Sequence, residues 1–210
     1  MSGRRVVDRG SFGRNANLPN ALTLLRILLV PVFAWLLLAD GGDDTSLRWW
    51  AAVVFVVAAA TDRLDGWLAR RQGSVTTFGI VADPIADKAL TGAGFVGLSL
   101  LGILPWWVTA VVLVREVGVT VLRAVVIRHT VVPASRGGKL KTVLQTVALA
   151  LLVAPLPELL RYAGWAVMVA AVVVTVVTGV QYAVAILGAA RRHRAEVRTR
   201  AREAAERRRR

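Results

Sequence analysis

Apolar residues in this chain fall in long blocks rather than alternating with polar ones. The blocks cover residues 21–38, 47–70, 79–101, 105–127, 140–157 and 164–187, each near the roughly 20 residues a helix needs to cross a bilayer. The pattern predicts an all-α integral membrane protein, a bundle of six transmembrane helices. Little chain is left for a soluble domain. Residues 1–16 read as a polar N-terminal arm, 17–189 as the transmembrane catalytic domain and 190–210 as a basic tail. Asn17-Leu18-Pro19-Asn20 predicts the first helix start, because proline suits the first turn and asparagine caps it. Asn20, Thr23 and Arg26 follow at i, i+3 and i+6 as a polar stripe on an otherwise apolar helix, and Pro31 is a candidate kink. The second block is apolar only from Trp49 to Ala60. Its helix must therefore run on through Asp62 and Asp65, which puts both near an interface. Gln72-Gly73-Ser74 predicts the turn into the third helix.

Composition and charge add orientation. The chain is 56% hydrophobic and its mean hydropathy is +0.58, too apolar for an ordinary soluble domain. The net charge of +14 is unevenly spread. Arg4, Arg5, Arg9 and Arg14 precede the first block, Arg70 and Arg71 follow the second, and Arg128, Arg136, Lys139 and Lys141 lie between the fourth and fifth. The connection after the first block carries Asp40, Asp43 and Asp44 instead. Basic connections alternating with non-basic ones predict a multi-pass cell-membrane protein with both termini and the aspartate region cytoplasmic. Trp49, Trp50, Trp106 and Trp107 fall at the opposite ends, where an aromatic belt belongs. The basic start lacks a small-residue cleavage site after the first block, so no removed signal peptide is expected. Without cysteine there are no disulfides, and the redox compartment stays open. A polybasic tail after a final membrane helix predicts contact with anionic lipid rather than nucleic acid, and Glu196, Glu203 and Glu206 among alanines predict that it is helical.

The candidate chemistry lies between Asp62 and Asp87. Asp62 and Asp65 are i,i+3 on one predicted helix, and Asp83 and Asp87 are i,i+4 on the next. Carboxylates converging at a membrane interface repel one another unless cations sit between them, and intramembrane acids are functional by default. Hard oxygen donors suit Mg2+, Mn2+ or Ca2+. The bland alternative is a solvated helix–turn–helix junction. Gly66, Ala69 and Gly79 let helices approach closely and equally leave room for a bulky ligand; Arg70 can pair with an aspartate or meet a phosphate. Paired cations bridged by carboxylates suit phosphoryl transfer, so these residues alone predict a metal-dependent phosphoryl-group enzyme with an interfacial site.

The segment Asp62, Asp65, Gly66, Ala69, Arg70, Gly79, Asp83, Asp87 resembles the signature of the CDP-alcohol phosphotransferases, with every fixed position of D-x2-D-G-x2-A-R-x8-G-x3-D-x3-D matched. The resemblance covers most of the chain beyond the first 16 residues and the tail. It implies transfer of a phosphatidyl group from a CDP-linked lipid to an alcohol, with release of CMP. It further implies that Asp62, Asp65, Asp83 and Asp87 hold two ions, Mg2+ or Mn2+, and that Asp87 is the general base. Asp62, Asp65, Gly66, Ala69, Arg70 and Thr76 would bind the cytidine diphosphate. A homodimer is implied by the resemblance alone.

The acceptor is read from the flanking residues. Asn17-Leu18-Pro19-Asn20-x2-Thr23-x2-Arg26, Arg115-Glu116, and Ala134-Ser135-x2-Gly138-Lys139-x-Lys141-Thr142-x2-Gln145 resemble the phosphatidylglycerophosphate synthases, the subfamily that uses glycerol 3-phosphate. Arg136-Gly137-Gly138 departs from the bulkier aromatic pair expected there. An anionic acceptor needs cations, and Arg115, Lys139 and Lys141 supply them; the resemblance adds Thr23 and Arg26 to the expected acceptor set. Lys139 and Lys141 also read as a simple positive-inside pair. Arg115 falls about mid-span, so pairing with Glu116 or an aspartate, or a wet cavity, is expected. Inositol phosphate and phosphatidylglycerol (the cardiolipin synthase reaction) are the alternative acceptors. A divalent-cation transporter is the alternative from another class, disfavoured because the four aspartates cluster at one face.

Overall fold

The structure is a computed structural model that describes residues 18–72, 77–126 and 136–209, with side chains described over 21–61, 82, 85–121, 138–186 and 188. Each predicted block holds one helix: α1 Leu18–Leu38, α2 Thr45–Gln72, α3 Thr77–Leu100, α4 Trp106–Val126, α5 Arg136–Val153 and α6 Glu158–Arg209. Among the described residues there is no strand. Two stretches of them, Ala21–Gly42 and Glu158–Ile186, are by length and composition able to cross a membrane, and Thr45–Thr61 is a shorter apolar run.

Local chemistry sets the ends. A 3-10 turn, Ala39–Gly42, links α1 to α2 through left-handed backbone at Asp40, Gly41 and Gly42 (φ 52°, 64° and 79°). Glycine is needed twice over at Gly42, because an added Cβ would also sit 2.8 Å from Leu101 Cδ1. Asp44, which the sequence offered only as a topology signal, caps α2: its Oδ1 accepts the backbone N–H of Ser46 at 2.7 Å and of Leu47 at 3.0 Å. α3 closes on Gly102 (φ 68°) in a Schellman motif, with Gly102 N–H bonding Ser99 O and Ile103 N–H bonding Leu98 O.

Two helices depart from the predicted blocks. α5 spans Arg136–Val153 rather than 140–157, because Pro155 and Pro157 cannot continue a helix and the residue before each is pushed to extended backbone. The carbonyl of Pro157 then accepts from Leu160 and Arg161 N–H and starts α6. α6 does not stop at the apolar boundary; it runs unbroken through the arginine-rich tail to Arg209, helical as its glutamates and alanines predict.

The chain divides into two compact units, one running up to Leu104 and including Leu149–Gly164, the other comprising Pro105–Ala148 and the chain from Trp165. In the first, α1 packs on both α2 and α3. Phe33 and Phe55 pack with their rings tilted at 44° and centroids 5.3 Å apart, and Gly94 lets Leu149 and Phe55 close over α3. The Arg48 guanidinium of α2 donates to the carbonyls of Leu152 (3.0 Å) and Val153 (3.0 and 3.2 Å), capping the C-terminus of α5 with a cation. The core of the second unit includes Val108, Val112, Ala148, Met168 and Ala171.

The outer faces of these helices are apolar where those of a soluble protein are polar. α1 exposes Leu24, Leu28, Val32 and Trp35 while burying Thr23 and Arg26; α6 exposes Val169, Val173, Val176 and Val180 while burying Thr175 and Thr178. Apolar outer faces, with the few polar side chains turned into an otherwise apolar interior, are the arrangement that an apolar solvent selects.

Candidate active site

The aspartate motif straddles one helix–turn–helix junction. The backbone of α2 continues through Asp62, Asp65, Gly66, Ala69 and Arg70 to Gln72, and α3 resumes at Thr77, ahead of Gly79, Asp83 and Asp87. This is the continuation that the short apolar run of the second block required. On that backbone residues 62, 65, 66 and 69 share one helical face, and 83 and 87 share another. The side chains of Asp62, Asp65, Gly66, Ala69, Arg70 and Asp83 lie outside the described residues, as does Thr76 altogether. Asp87 is described and half-buried, and its carbonyl accepts the Thr91 hydroxyl at 2.8 Å. Among the described residues no three His, Cys, Asp or Glu side chains group together.

The expected acceptor residues fall in both units. Thr23 and Arg26 belong to the first, on the inner face of α1, each only 1% exposed. Arg26 is the largest fully buried side chain of the described residues, and a guanidinium so placed is tolerated only when its charge is met within the protein.

Arg115, Lys139 and Lys141 belong to the second unit. Arg115 pairs with its neighbour Glu116, Nη1 to Oε1 at 3.2 Å, the first of the partners expected for a mid-span arginine. Lys141 Nζ bonds the same Oε1. Two cations from α4 and α5 thus share one carboxylate oxygen, with side-chain exposures of 16% (Arg115), 5% (Lys141) and 22% (Glu116). Lys139 is exposed. Positions two apart on a helix do not face the same way, so the two lysines, a pair in the sequence, have different surroundings.

α6 contributes residues that the sequence reading did not single out. The Thr178 hydroxyl accepts from Arg115 Nη2 at 3.2 Å while donating to Val174 O at 2.7 Å. One turn earlier Thr175 accepts from Gln145 Nε2 at 3.0 Å and donates to Ala171 O at 2.6 Å. Gly179 lies against Arg115, where an added Cβ would sit 3.2 Å from Cγ. The available signal was two threonines at i,i+3 followed by glycine in an otherwise apolar run. Chemically, the cluster brings two cations together beside the Thr178 hydroxyl, an arrangement suited to an anion.

The sequence profile of the CDP-alcohol phosphatidyltransferase family matches residues 16–177. A Mycobacterium tuberculosis protein named a probable phosphatidylglycerophosphate synthase is 55% identical over 169 residues, covering 80% of this chain and 81% of its own. The CDP-diacylglycerol–glycerol-3-phosphate 3-phosphatidyltransferase of Bacillus subtilis is 40% identical over 180 residues (79% of this chain, 93% of its own). The Escherichia coli enzyme of the same name is 39% identical over 172 residues (79% and 92%). With helices and no strand among the described residues, lipid-suited outer faces, the full aspartate motif and this match, the chain belongs to the CDP-alcohol phosphatidyltransferase family, a family of membrane-embedded transferases of phospholipid biosynthesis.

Proposed function

We propose that this chain transfers the phosphatidyl group of CDP-diacylglycerol to glycerol 3-phosphate, giving phosphatidylglycerophosphate and CMP. The observation that carries the acceptor is the Arg115–Glu116–Lys141 cluster, two largely buried cations sharing one carboxylate. Two cations placed this close suit a phosphomonoester better than a neutral lipid hydroxyl. The names of the relatives in Bacillus subtilis and Escherichia coli point to the same acceptor.

A donor set made only of carboxylates, at i,i+3 and i,i+4 on helices separated by a short connector, fits hard divalent cations and does not fit soft ones. Asp62, Asp65, Asp83 and Asp87 would hold two ions, Mg2+ or Mn2+, which when bound polarise the phosphate and lower the charge on the departing CMP. Asp87 accepts the proton of the acceptor hydroxyl. The freed oxygen forms a bond to the phosphorus that carries diacylglycerol, and the bond from that phosphorus to the bridging oxygen breaks, so CMP leaves with the electron pair. Gly66, Ala69, Arg70 and Thr76 bind the cytidine diphosphate. Thr23, Arg26, Arg115, Lys139 and Lys141 hold glycerol 3-phosphate.

In the same reading residues 17–189 are the catalytic domain. All six helices cross the cell membrane, with both termini and the active site cytoplasmic and the 190–210 tail meeting anionic lipid. This orientation is supported by the basic connections and by the exposed Trp49, Trp50, Trp106 and Trp107. The assembly is a homodimer, on the family resemblance alone.

The test is CMP release by purified protein given CDP-diacylglycerol, Mg2+ and one acceptor at a time. Release is expected with glycerol 3-phosphate, abolished by EDTA and restored by Mg2+. Asp87→Asn is expected to lower it by about 100-fold or more. Release only with inositol phosphate or phosphatidylglycerol would overturn the acceptor, and no CMP with any alcohol would overturn the reaction.

A further inference from the structure

The acceptor cluster has a feature that its charges do not explain. Arg115 is held on one side by Glu116 and on the other by α6, which carries no charge there: Nη1 bonds Glu116 Oε1 and Nη2 bonds Thr178 Oγ1, both at 3.2 Å. The Thr178 hydroxyl is itself oriented. Its proton is committed to the backbone, 2.7 Å from Val174 O and 3.2 Å from Thr175 O, which turns its lone pairs to the guanidinium. Gly179 completes the shelf. An alanine there would place a Cβ 3.2 Å from Arg115 Cγ and 3.8 Å from Nε, closer to Cγ than a well-packed methyl sits. Nε is buried and makes no hydrogen bond among the described residues. Two of the three guanidinium nitrogens are therefore fixed by protein through one N–H each, and each carries a second N–H.

We propose that Thr178, with Gly179, is a positioning residue for the acceptor: it holds the Arg115 guanidinium so that its remaining donors face the acceptor phosphate. This rests on the reading of Arg115 as an acceptor-binding residue. Thr178 acts through Arg115 and does not touch substrate. A fixed fork loses less freedom when it binds a phosphate than a mobile one, so the effect falls on acceptor affinity and spares the donor site.

The experiment is a double-mutant cycle on KM for glycerol 3-phosphate, with KM for CDP-diacylglycerol and kcat measured alongside. Thr178→Val removes the hydroxyl at nearly constant shape and is expected to raise KM for glycerol 3-phosphate about tenfold, the size of one hydrogen bond to a charged group. The KM for CDP-diacylglycerol and kcat are expected to stay within about twofold, against the tenfold acceptor effect of that lost bond. Thr178→Ser keeps the hydroxyl and restores the wild-type value. In an Arg115→Ala background, Thr178→Val adds nothing further. If Thr178→Val raises KM equally with and without Arg115, or lowers kcat and both affinities together, positioning is overturned while the acceptor reading stands. If Arg115→Ala itself leaves the glycerol 3-phosphate KM unchanged, the acceptor role of Arg115 falls and this proposal falls with it.

Discussion

Replacing Glu116 by glutamine probes the cluster at its centre. The carboxylate accepts from Arg115 at 3.2 Å and bonds Lys141, whose side chain is 5% exposed. Glutamine keeps the length and one oxygen acceptor but removes the charge, leaving two cations side by side without the carboxylate they share. Breaking a buried pair by removing one partner costs about 3–5 kcal/mol, and the retained amide oxygen puts this change near 3 kcal/mol. For a chain of this size that corresponds to a melting temperature lowered by roughly 6–12 °C. The assay is thermal unfolding of purified protein in detergent, followed by tryptophan fluorescence. Adding Lys141→Met to Glu116→Gln removes one of the two cations and should recover about half of the loss, because neighbouring charges are not additive. A Glu116→Gln protein that melts within about 1 °C of wild type would refute the reasoning, since a loss near 3 kcal/mol cannot hide in so small a shift.

Two further outcomes follow from the same geometry. Arg48→Met strips three hydrogen bonds from the carbonyls of Leu152 and Val153; the half-buried clamp is worth about 1–3 kcal/mol, so melting should drop by roughly 2–12 °C. CMP release per folded molecule should stay near wild type, because Arg48 lies in the first turn of α2, four turns before Asp62, and an activity loss without a melting loss would contradict this. Lys141→Met should raise the glycerol 3-phosphate KM at least tenfold and Lys139→Gln less than about threefold, as expected for a desolvated and a solvated cation. Steady-state kinetics at saturating CDP-diacylglycerol decide it, and the reverse order would remove Lys141 from the acceptor site.

Much of the fold was legible because in this chain the signals are local. Each apolar block became one helix, and the need for the second helix to run through Asp62 and Asp65 followed from its short apolar run. Where the prediction slipped, the local rule was present but outweighed: Pro155 and Pro157 end α5 at Val153, although Leu156 and its neighbours extended the apolar block to 157. Arg48 was invisible as a helix cap because its partners, Leu152 and Val153, are about a hundred residues away. Thr175 and Thr178 were passed over because a hydroxyl bonded to its own helix looks the same in sequence whether or not a second helix uses its lone pairs.

The sequence by itself determined the helical class, the family and the aspartate motif, since hydrophobic blocks and fixed spacings along one chain encode these directly. Tertiary structure alone decided which cations matter to one another. It buried Lys141 and left Lys139 exposed, brought Glu116 between α4 and α5, and set Thr178 and Gly179 of α6 against Arg115. Such contacts depend on the rotation and offset of one helix against another. Those are fixed by packing over the whole of each interface, and no spacing within a single helix carries them.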